Sequence, residues 1–205
     1  HDCVAVQTLP DATVALTLAR SGGVQYTFVG TTDEGGGLIT TGGEWDPEQP
    51  DIRPGDVVSV TADGLTTYVD PVGRIDAGVD LDADTVTGTI HAPWFAPQTL
   101  AVRCEVWTEG GPGIDVPGVA ADGGSFTCDF GAIGWDLQAG PDVAVQYFEP
   151  DGDSVIGVAL PLQPRMNVNY GHDWVEGNYE PGHTLWITVT ESDGSTVKAT
   201  ADLQT

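Results

Sequence analysis

The amino-acid sequence predicts an all-β protein of tandem β-sandwich modules, with a partial third module at the C-terminus. Three observations predict this fold. Apolar and polar residues alternate with a period of two, Asp-Gly turns separate the alternating runs, and the chain repeats itself. Helical periodicity is nearly absent. Tandem sandwiches with almost no helix are therefore expected.

The alternating runs are recognised by their composition as well as by their period. Residues 100–107 alternate over eight positions, and residues 13–18 and 185–190 alternate over six positions each. Val, Thr, Tyr and Trp dominate these runs, and such side chains suit a pleated surface that is buried on one face. Each run is therefore predicted to be a half-buried β-strand.

Turn signals lie between the predicted strands. Asp63-Gly64, Gly152 within Asp151–Asp153, and Asp193-Gly194 are the clearest of them. An Asp-Gly pair supplies the positive φ angles that tight hairpins need. Short strands separated by such turns at intervals of roughly 8–12 residues indicate a β-sandwich.

Internal repetition is the most informative feature of the chain. Residues 1–4 (HDCV) match residues 172–175 (HDWV), and the match continues without a gap to Gly23 and Gly194. A looser third copy of this opening begins at Asp84. Repeats of this kind indicate that one structural unit occurs several times.

The second halves of the units repeat as well, because residues 51–60 resemble residues 136–145. The predicted units are one module at 1–74, a second at 75–163, and a partial module at 166–205. Only the opening strands of the partial module are present, and a lone two-stranded ribbon is marginal in water.

The partial module therefore has an apolar face that something must cover. We expect it to dock on the N-terminal module of another copy, so that subunits join head to tail into a polymer. The alternatives are that it folds back on the second module or belongs to a longer repeat array. The predicted contact residues are Val168, Trp174, Leu185, Ile187 and Val189.

Several phrases carry a resemblance to a known family. The segments DTVTGT, DWVEGNYEPGHTLWITV, DIRPGD and EPDGDSV resemble the tandem bacterial immunoglobulin-like (Ig-like) modules of large secreted and surface proteins. The resemblance implies Ig-like sandwiches, which serve as stalks, adhesins, filament subunits and enzyme appendages alike. The first module departs from the pattern, since Val6 stands where the other copies have Gly88 and Gly177.

Charge excludes some classes of partner. The 205 residues include 31 acidic and only 6 basic side chains, for a formal net charge of −25. Such a chain repels nucleic acid and anionic membrane surfaces, while the charge favours solubility and cation binding. No apolar stretch is long enough for a transmembrane helix, so membrane insertion is not expected. Because the chain begins at His1, we expect a longer precursor whose export signal has been removed, and an extracellular or cell-surface location.

Three cysteines are present, and two of them are predicted to pair. Cys104 and Cys128 lie in different predicted strands of the second module. A disulfide between them closes a loop of about 25 residues and contributes about 3 kcal/mol through loop-closure entropy. Cys3 aligns with Trp174 and is expected to face the core, the alternative being an intermolecular bond.

Two acidic segments are candidate calcium sites. Acids at alternate positions place carboxylates on one face of an extended segment, as hard cations require. Neither segment matches a full calcium-binding loop, and the alternative is an ordinary solvated turn. The candidate ligands are Glu149, Asp151 and Asp153 in one segment and Asp80, Asp82 and Asp84 in the other.

His1 is a candidate copper ligand. An N-terminal His can bind copper through its amine and its ring, as in the Ig-like copper-dependent polysaccharide monooxygenases. The second ligand would be His91, His172 or His183. The repeat favours the simpler interpretation, because His1 aligns with His172, which has no free amine. No other catalytic motif is recognisable, and the chain is not expected to be an enzyme.

Aromatic residues in predicted loops form a candidate glycan or partner surface. Tryptophans in predicted strands, namely Trp107, Trp174 and Trp186, are expected to face the core instead. The expected function is a structural subunit, with an adhesin or carbohydrate-binding stalk second and a copper monooxygenase third. The residues of the candidate glycan surface are Trp45, Trp94, Phe95, Trp135 and Tyr179.

Overall fold

The protein is all-β, as the sequence predicts. The computed structural model describes residues 2–41, 45–96, 98–107, 113–120, 124–138, 141–161, 165–172, 174–178 and 184–204. Strands make up 57% of the described residues and helix 3%. The helical part of the described residues is two turns of 3-10 helix, at Pro93–Phe95 and Gly131–Ile133. No helix in these ranges is long and apolar enough to cross a membrane.

The first six strands enclose one core. They are β1 (Ala5–Gln7), β2 (Thr13–Arg20), β3 (Val24–Thr31), β4 (Gly37–Ile39), β5 (Val57–Ala62) and β6 (Leu65–Val69). Strand β1 pairs with β4, and the other four form an antiparallel sheet in the order β3-β2-β5-β6. The alternation in β2 buries Val14, Leu16 and Leu18 completely, because they point into this core while the residues between them point away.

The next seven strands form a sandwich of two sheets. They are β7 (Arg74–Asp80), β8 (Thr85–His91), β9 (Leu100–Val106), β10 (Ile114–Ala120), β11 (Ser125–Asp129), β12 (Val143–Phe148) and β13 (Ser154–Ala159). One sheet has the order β11-β8-β7 and the other β10-β9-β12-β13. Both sheets contribute to a second core, with Val86 and Phe126 from one and Val102 and Val145 from the other.

The last four strands form two separate antiparallel pairs. They are β14 (Arg165–Asn169) with β15 (Trp174–Asn178), and β16 (Thr184–Thr190) with β17 (Val197–Gln204). None of their described residues belongs to either core. We call β1–β6 the first module, β7–β13 the second module and β14–β17 the tail.

The register of the paired strands repeats between the second module and the tail. In the second module and in the tail, the first strand pair places Val opposite Val and an apolar side chain opposite glycine. The pairs are Val79–Val86 and Ala77–Gly88 in the second module, and Val168–Val175 and Met166–Gly177 in the tail. Val155 packs against both cores, so the first two modules are in contact. The division into modules at 1–74, 75–163 and 166–205 stays a prediction.

Candidate functional site

The apolar face of β16 is only partly covered. In the first module, the repeat-equivalent side chains Val14, Leu16 and Leu18 are 0–1% exposed. In the tail, Leu185 and Ile187 are half-buried and Val189 is 39% exposed. The same alternating pattern thus builds a strand with an apolar face in both places, but over the tail no sheet of described residues covers that face.

The other tail hairpin shows the same contrast. Val86 of β8 is completely buried, whereas its equivalent Val175 is half-buried. Val168 opposite Val175 is exposed, and so is the neighbouring Trp174. The five predicted contact residues therefore lie on two hairpins, with their apolar side chains partly or largely open to solvent.

Strand edges in the tail are also open. Strand β9 pairs with β10 on one side and β12 on the other, and β2 likewise lies between β3 and β5. Their tail equivalent β16 pairs only with β17 among the described residues. Its second edge consequently presents backbone N–H and C=O groups that can pair with another strand.

The first module has an incomplete sheet of its own. Strand β8 is flanked by β7 and β11, whereas β1 pairs only with β4 in the described part of the chain. A Cβ at Gly88 would lie 2.1 Å from the backbone oxygen of Asp76 in β7. Val6 occupies the equivalent position in β1, so a strand placed beside β1 as β7 lies beside β8 would meet the Val6 side chain.

The predicted disulfide is present in the structure. Cys104 of β9 and Cys128 of β11 are bonded, with their Cα atoms 6.2 Å apart. Both side chains are completely buried in the second core. Because β9 and β11 belong to different sheets, the bond links the two layers of the second module.

Cys3 lies differently from the sequence expectation. It was expected to face the core because its repeat partner is Trp174, but it is exposed and unbonded. It precedes β1, and the neighbouring Val4 takes the place next to the first core instead. The expectation was wrong because Trp174 is itself exposed, and because neighbouring residues of an extended chain point to opposite sides, so that Val4 faces the core and Cys3 does not.

The acidic segment at residues 80–84 forms a turn between β7 and β8. The Asp80 carboxylate accepts hydrogen bonds from the backbone amides of Asp82 and Ala83, both at 3.0 Å. Asp84 instead accepts the Leu137 amide at 2.9 Å. Among the described residues, no three His, Cys, Asp or Glu side chains are grouped so as to hold a metal ion. Calcium binding here stays a prediction.

The second acidic segment lies at the junction between the two modules. Asp151 accepts the Asp153 amide at 3.2 Å, and Asp153 accepts the hydroxyl of Thr67 from β6 of the first module. Glu149 is 6% exposed. Burial raises its pKa to about 7, and the negative charges of Asp151, Asp153 and Asp70 add to the effect.

Sequence reasoning missed Asp70 as a member of this junction. It follows β6 directly and stands in front of Pro71, at the place where one module ends and the next begins. This position between two predicted modules was the sequence signal that could have identified Asp70. Sequence reasoning also missed Tyr147, whose hydroxyl accepts the Gly73 amide at 2.8 Å.

The candidate glycan surface is not assembled as predicted. Trp45 is 7% exposed and packs against Phe28 in the first core, with ring centroids 5.5 Å apart. It cannot stack on a sugar from that position. Trp94 is exposed beside Phe95, which packs with Trp135 against the second core. Tyr179 lies outside the described residues.

The tryptophans of the predicted strands are expected to face the core, but the structure shows that they are exposed. Trp107 and Trp186 are exposed, and Trp174 is exposed on the open hairpin of the tail. Trp107 follows the last residue of β9, and Trp186 points away from the Leu185–Ile187 face. A strand has two faces, and only one of them can meet a core.

The positions of the described histidines do not test the copper hypothesis, which stays a prediction. His1 and His183 lie outside the described residues. His91 ends β8, opposite Arg74 of β7. His172 lies in the turn after β14, where its backbone amide donates to the Asn169 side chain at 3.1 Å.

Comparison with known proteins identifies no family for this chain. No protein-family model matches it, and no curated protein matches it. Among solved structures, it is similar to a tetra-tandem repeat in the extending region of a large adhesion protein. The identity is 18% and the TM-score 0.27, with 98% of this chain and 58% of that chain covered. At this TM-score the likeness carries no argument about function, and the chain spans little more than half of that structure.

Proposed function

We propose that this protein is a structural subunit of an extracellular filament or surface assembly whose copies join head to tail. The observation that supports this is the contrast between β16 and its two equivalents. Strands β2 and β9 have two paired edges and a covered apolar face, whereas β16 has one edge paired with a described strand and a face that is partly open. The buried Cys104–Cys128 disulfide suits an oxidising, extracellular setting.

Covering the tail is favourable on physical grounds. A two-stranded pair is marginal in water by itself. Burial of the open apolar side chains of β16 would contribute several kcal/mol at about 25 cal/mol per Å² of apolar surface. Pairing of the open backbone edge would add hydrogen bonds that give the contact its register.

The first module of the next copy is the proposed partner of the tail. Its described residues form two strands in the β1–β4 sheet, where the equivalent sheet of the second module has three, and Leu9 and Ile39 near that sheet are exposed. Val6 requires the incoming strand to lie differently from β7. Such a contact joins two different surfaces, so it produces an open filament unless the rotation closes a ring.

Analytical ultracentrifugation of the 205-residue chain over a wide concentration range tests the proposal. We expect concentration-dependent assembly that is lost when residues 165–205 are deleted. A chain that stays monomeric at high concentration, or a deletion variant that assembles equally well, would contradict head-to-tail docking.

A matched pair of substitutions locates the contact. Ile187→Asp places a charge on the apolar face of β16, and we expect it to weaken association by more than about tenfold. Thr188→Asp adds the same charge to the opposite, exposed face and serves as the control. Equal effects of the two variants would show that net charge, and not the apolar face, controls assembly.

An adhesin or carbohydrate-binding stalk is the second candidate function. The observation that favours it is the aromatic pair Trp94–Phe95, whose ring centroids are 6.0 Å apart and whose Trp is exposed. Binding to a glycan array that is lost in Trp94→Ala would support it. An array on which no glycan binds would contradict the carbohydrate-binding function.

The proposed function is not enzymatic. The copper monooxygenase remains the third hypothesis and requires the amine of His1. Copper titration before and after acetylation of the N-terminus tests it, because tight binding that acetylation abolishes would overturn the structural proposal.

A further inference from the structure

The first module has an open position that a strand fills in the second module. Strand β7 lies beside β8 and packs Ile75, Ala77 and Val79 against the second core. It also passes over β13, since a Cβ at Gly157 would lie 3.3 Å from the Ile75 side chain. Among the described strands, none takes this place beside β1, the equivalent of β8. We call the place between β1 and β6 the strand slot.

The exposed inner side of β6 shows that the strand slot is open. Leu65 of β6 is the equivalent of Val155 in β13, and both point toward the inner side of their sheets. Val155 is half-buried, whereas Leu65 is 79% exposed. Thr67, two residues further on, is exposed too, although the Asp153 side chain bonds to it. In the described part of the chain, β6 therefore lacks the cover that β7 gives to β13.

Strand β16 of the tail has the pattern of a strand that fits the slot. Three apolar residues at alternate positions point to its inner side, with the same spacing as in β7. They are Leu185, Ile187 and Val189, in place of Ile75, Ala77 and Val79. Strand β17 pairs with one edge of β16, and no described strand pairs with the other. This second edge can therefore pair with β1.

Charge permits this contact, although it opposes most contacts between two copies. Residues 3–9, which include β1, contain no charged side chain, and neither do residues 184–190 of β16. The whole chain has 31 acidic residues and a formal net charge of −25, so most surfaces of two copies repel each other. Two uncharged edges can meet without removing an ion from water.

We propose that β16 of one copy enters the strand slot of the next copy and pairs antiparallel with β1. This inference rests on the proposed function, because it names the strands that form the head-to-tail contact. A slip by one residue would turn the apolar face of β16 outward, which fixes the phase of the pairing. The product is a four-stranded sheet, β4-β1-β16-β17, that covers Leu65. The proposed pairs are Leu185–Thr8, Ile187–Val6 and Val189–Val4.

Val6 sets the distance between the two strands. At the equivalent Gly88, a Cβ would lie 2.1 Å from the backbone oxygen of Asp76, so β7 comes closer there than a side chain allows. Strand β16 has to keep the ordinary strand spacing of about 4.8 Å from β1. At that spacing Ile187 and Val6 form an apolar cross-strand pair.

Cys3 supplies a native probe of this register. It is exposed and unbonded. In the proposed pairing it lies opposite Thr190, as Thr85 lies opposite Asp80 in the second module. Opposite residues of antiparallel strands have Cα atoms about 4.5–5.5 Å apart, a distance that a disulfide can span. We expect Thr190→Cys in the full chain, with a mild oxidant, to give a ladder of disulfide-linked oligomers on a non-reducing gel. The wild type, with Cys3 as its one free thiol, should give dimers at most.

Thr200→Cys and Thr188→Cys are the controls for this cross-link. Thr200 lies on the same side of the tail but in β17, one strand further from β1, and Thr188 is two residues from Thr190 in β16. A ladder of equal strength from either control would overturn the proposed register. Assembly of the chain without a ladder from Thr190→Cys would overturn the pairing of β16 with β1 and leave head-to-tail docking intact. A chain that does not assemble would contradict both.

Leu65→Asp tests the strand slot without a new cysteine. Leu65 is exposed in the single copy, so the substitution should leave the free energy of unfolding almost unchanged. It places a charge beneath the docked β16, and we expect sedimentation to show association weakened by more than about tenfold. Thr66→Asp, on the other side of β6, is the matched control and should have a much smaller effect. Equal association of the wild type and Leu65→Asp would show that β16 does not enter the slot.

Discussion

A partly buried ion pair joins Arg20, at the end of β2, to the buried Asp56, just before β5. The guanidinium donates to both carboxylate oxygens, at 2.8 and 2.7 Å, and the Arg53 amide donates to the second at 2.8 Å. Burial raises the pKa of Asp56, but these hydrogen bonds outweigh it and hold the pKa below its ordinary value of 3.8. The ionised pair therefore stabilises the first module above that pH.

We expect Asp56→Asn to lower the free energy of unfolding by about 3 kcal/mol, because it leaves the largely buried Arg20 without its carboxylate. Urea unfolding near pH 7 measures the loss. Asp51→Asn breaks the exposed pair between Asp51 and Arg53 and should cost much less, because solvent screens that pair. The difference in free energy of unfolding between the wild type and Asp56→Asn should become smaller as pH falls below about 4, because the protonated Asp56 carboxyl of the wild type no longer forms the ion pair either. A difference that stays constant as pH falls would show that the lost ion pair is not the cause of the destabilisation.

Tyr147 allows a second prediction at the residue scale. Removal of its hydroxyl in Tyr147→Phe leaves the buried Gly73 amide without an acceptor, and we expect a loss of about 1–2 kcal/mol in the free energy of unfolding. Tyr68→Phe, at an exposed position in β6, is the matched control and should have almost no effect. Similar effects from both substitutions would show that the junction does not depend on this bond.

Among the elements, β9 and β11 are linked covalently across the second core. Replacement of Cys104 and Cys128 by Ala should cost about 3 kcal/mol, because the unfolded chain regains the entropy of an open loop. Cys3→Ser is the control, since Cys3 is exposed and unbonded. Thermal unfolding with and without a reductant measures the effect, and a reductant that leaves wild-type stability unchanged would contradict the prediction.

Strands β2 and β16 have the same pattern but different surroundings, and this predicts different local stability. In dilute solution the amides of β16 should exchange much faster than those of β2, because little buried apolar surface holds β16 in place. Their protection should increase as the protein concentration rises and the tail docks. Equal protection of the two strands in the monomer would mean that β16 is covered in some other way.

At the scale of the whole molecule, net charge opposes the proposed assembly. Two copies with a formal charge of −25 each repel one another until salt screens them. We therefore expect association to strengthen between low salt and about 1 M NaCl, because apolar burial persists while repulsion falls. Sedimentation at the two salt concentrations measures this. Weaker association at high salt would indicate a contact held by ion pairs instead.

Much of the architecture could be predicted from local patterns. A period of two identifies a strand and its apolar face wherever it occurs, so Val14, Leu16 and Leu18 were recognisable as one face before any fold was known. Asp63-Gly64 indicated a turn because positive φ angles favour those residues, and both adopt them. Repetition located the opening strands of the tail, because equal sequences build equal elements.

The sequence by itself determined the all-β class, the repeated strands and the pairing of Cys104 with Cys128, since each depends on spacing along the chain. Only the tertiary structure decided which faces are covered. It buried Trp45, exposed Cys3 and enclosed Glu149 between two modules. The physical reason is that burial depends on segments distant in sequence, such as Asp70 beside Glu149. A local pattern shows which way a side chain points, but not what meets it there.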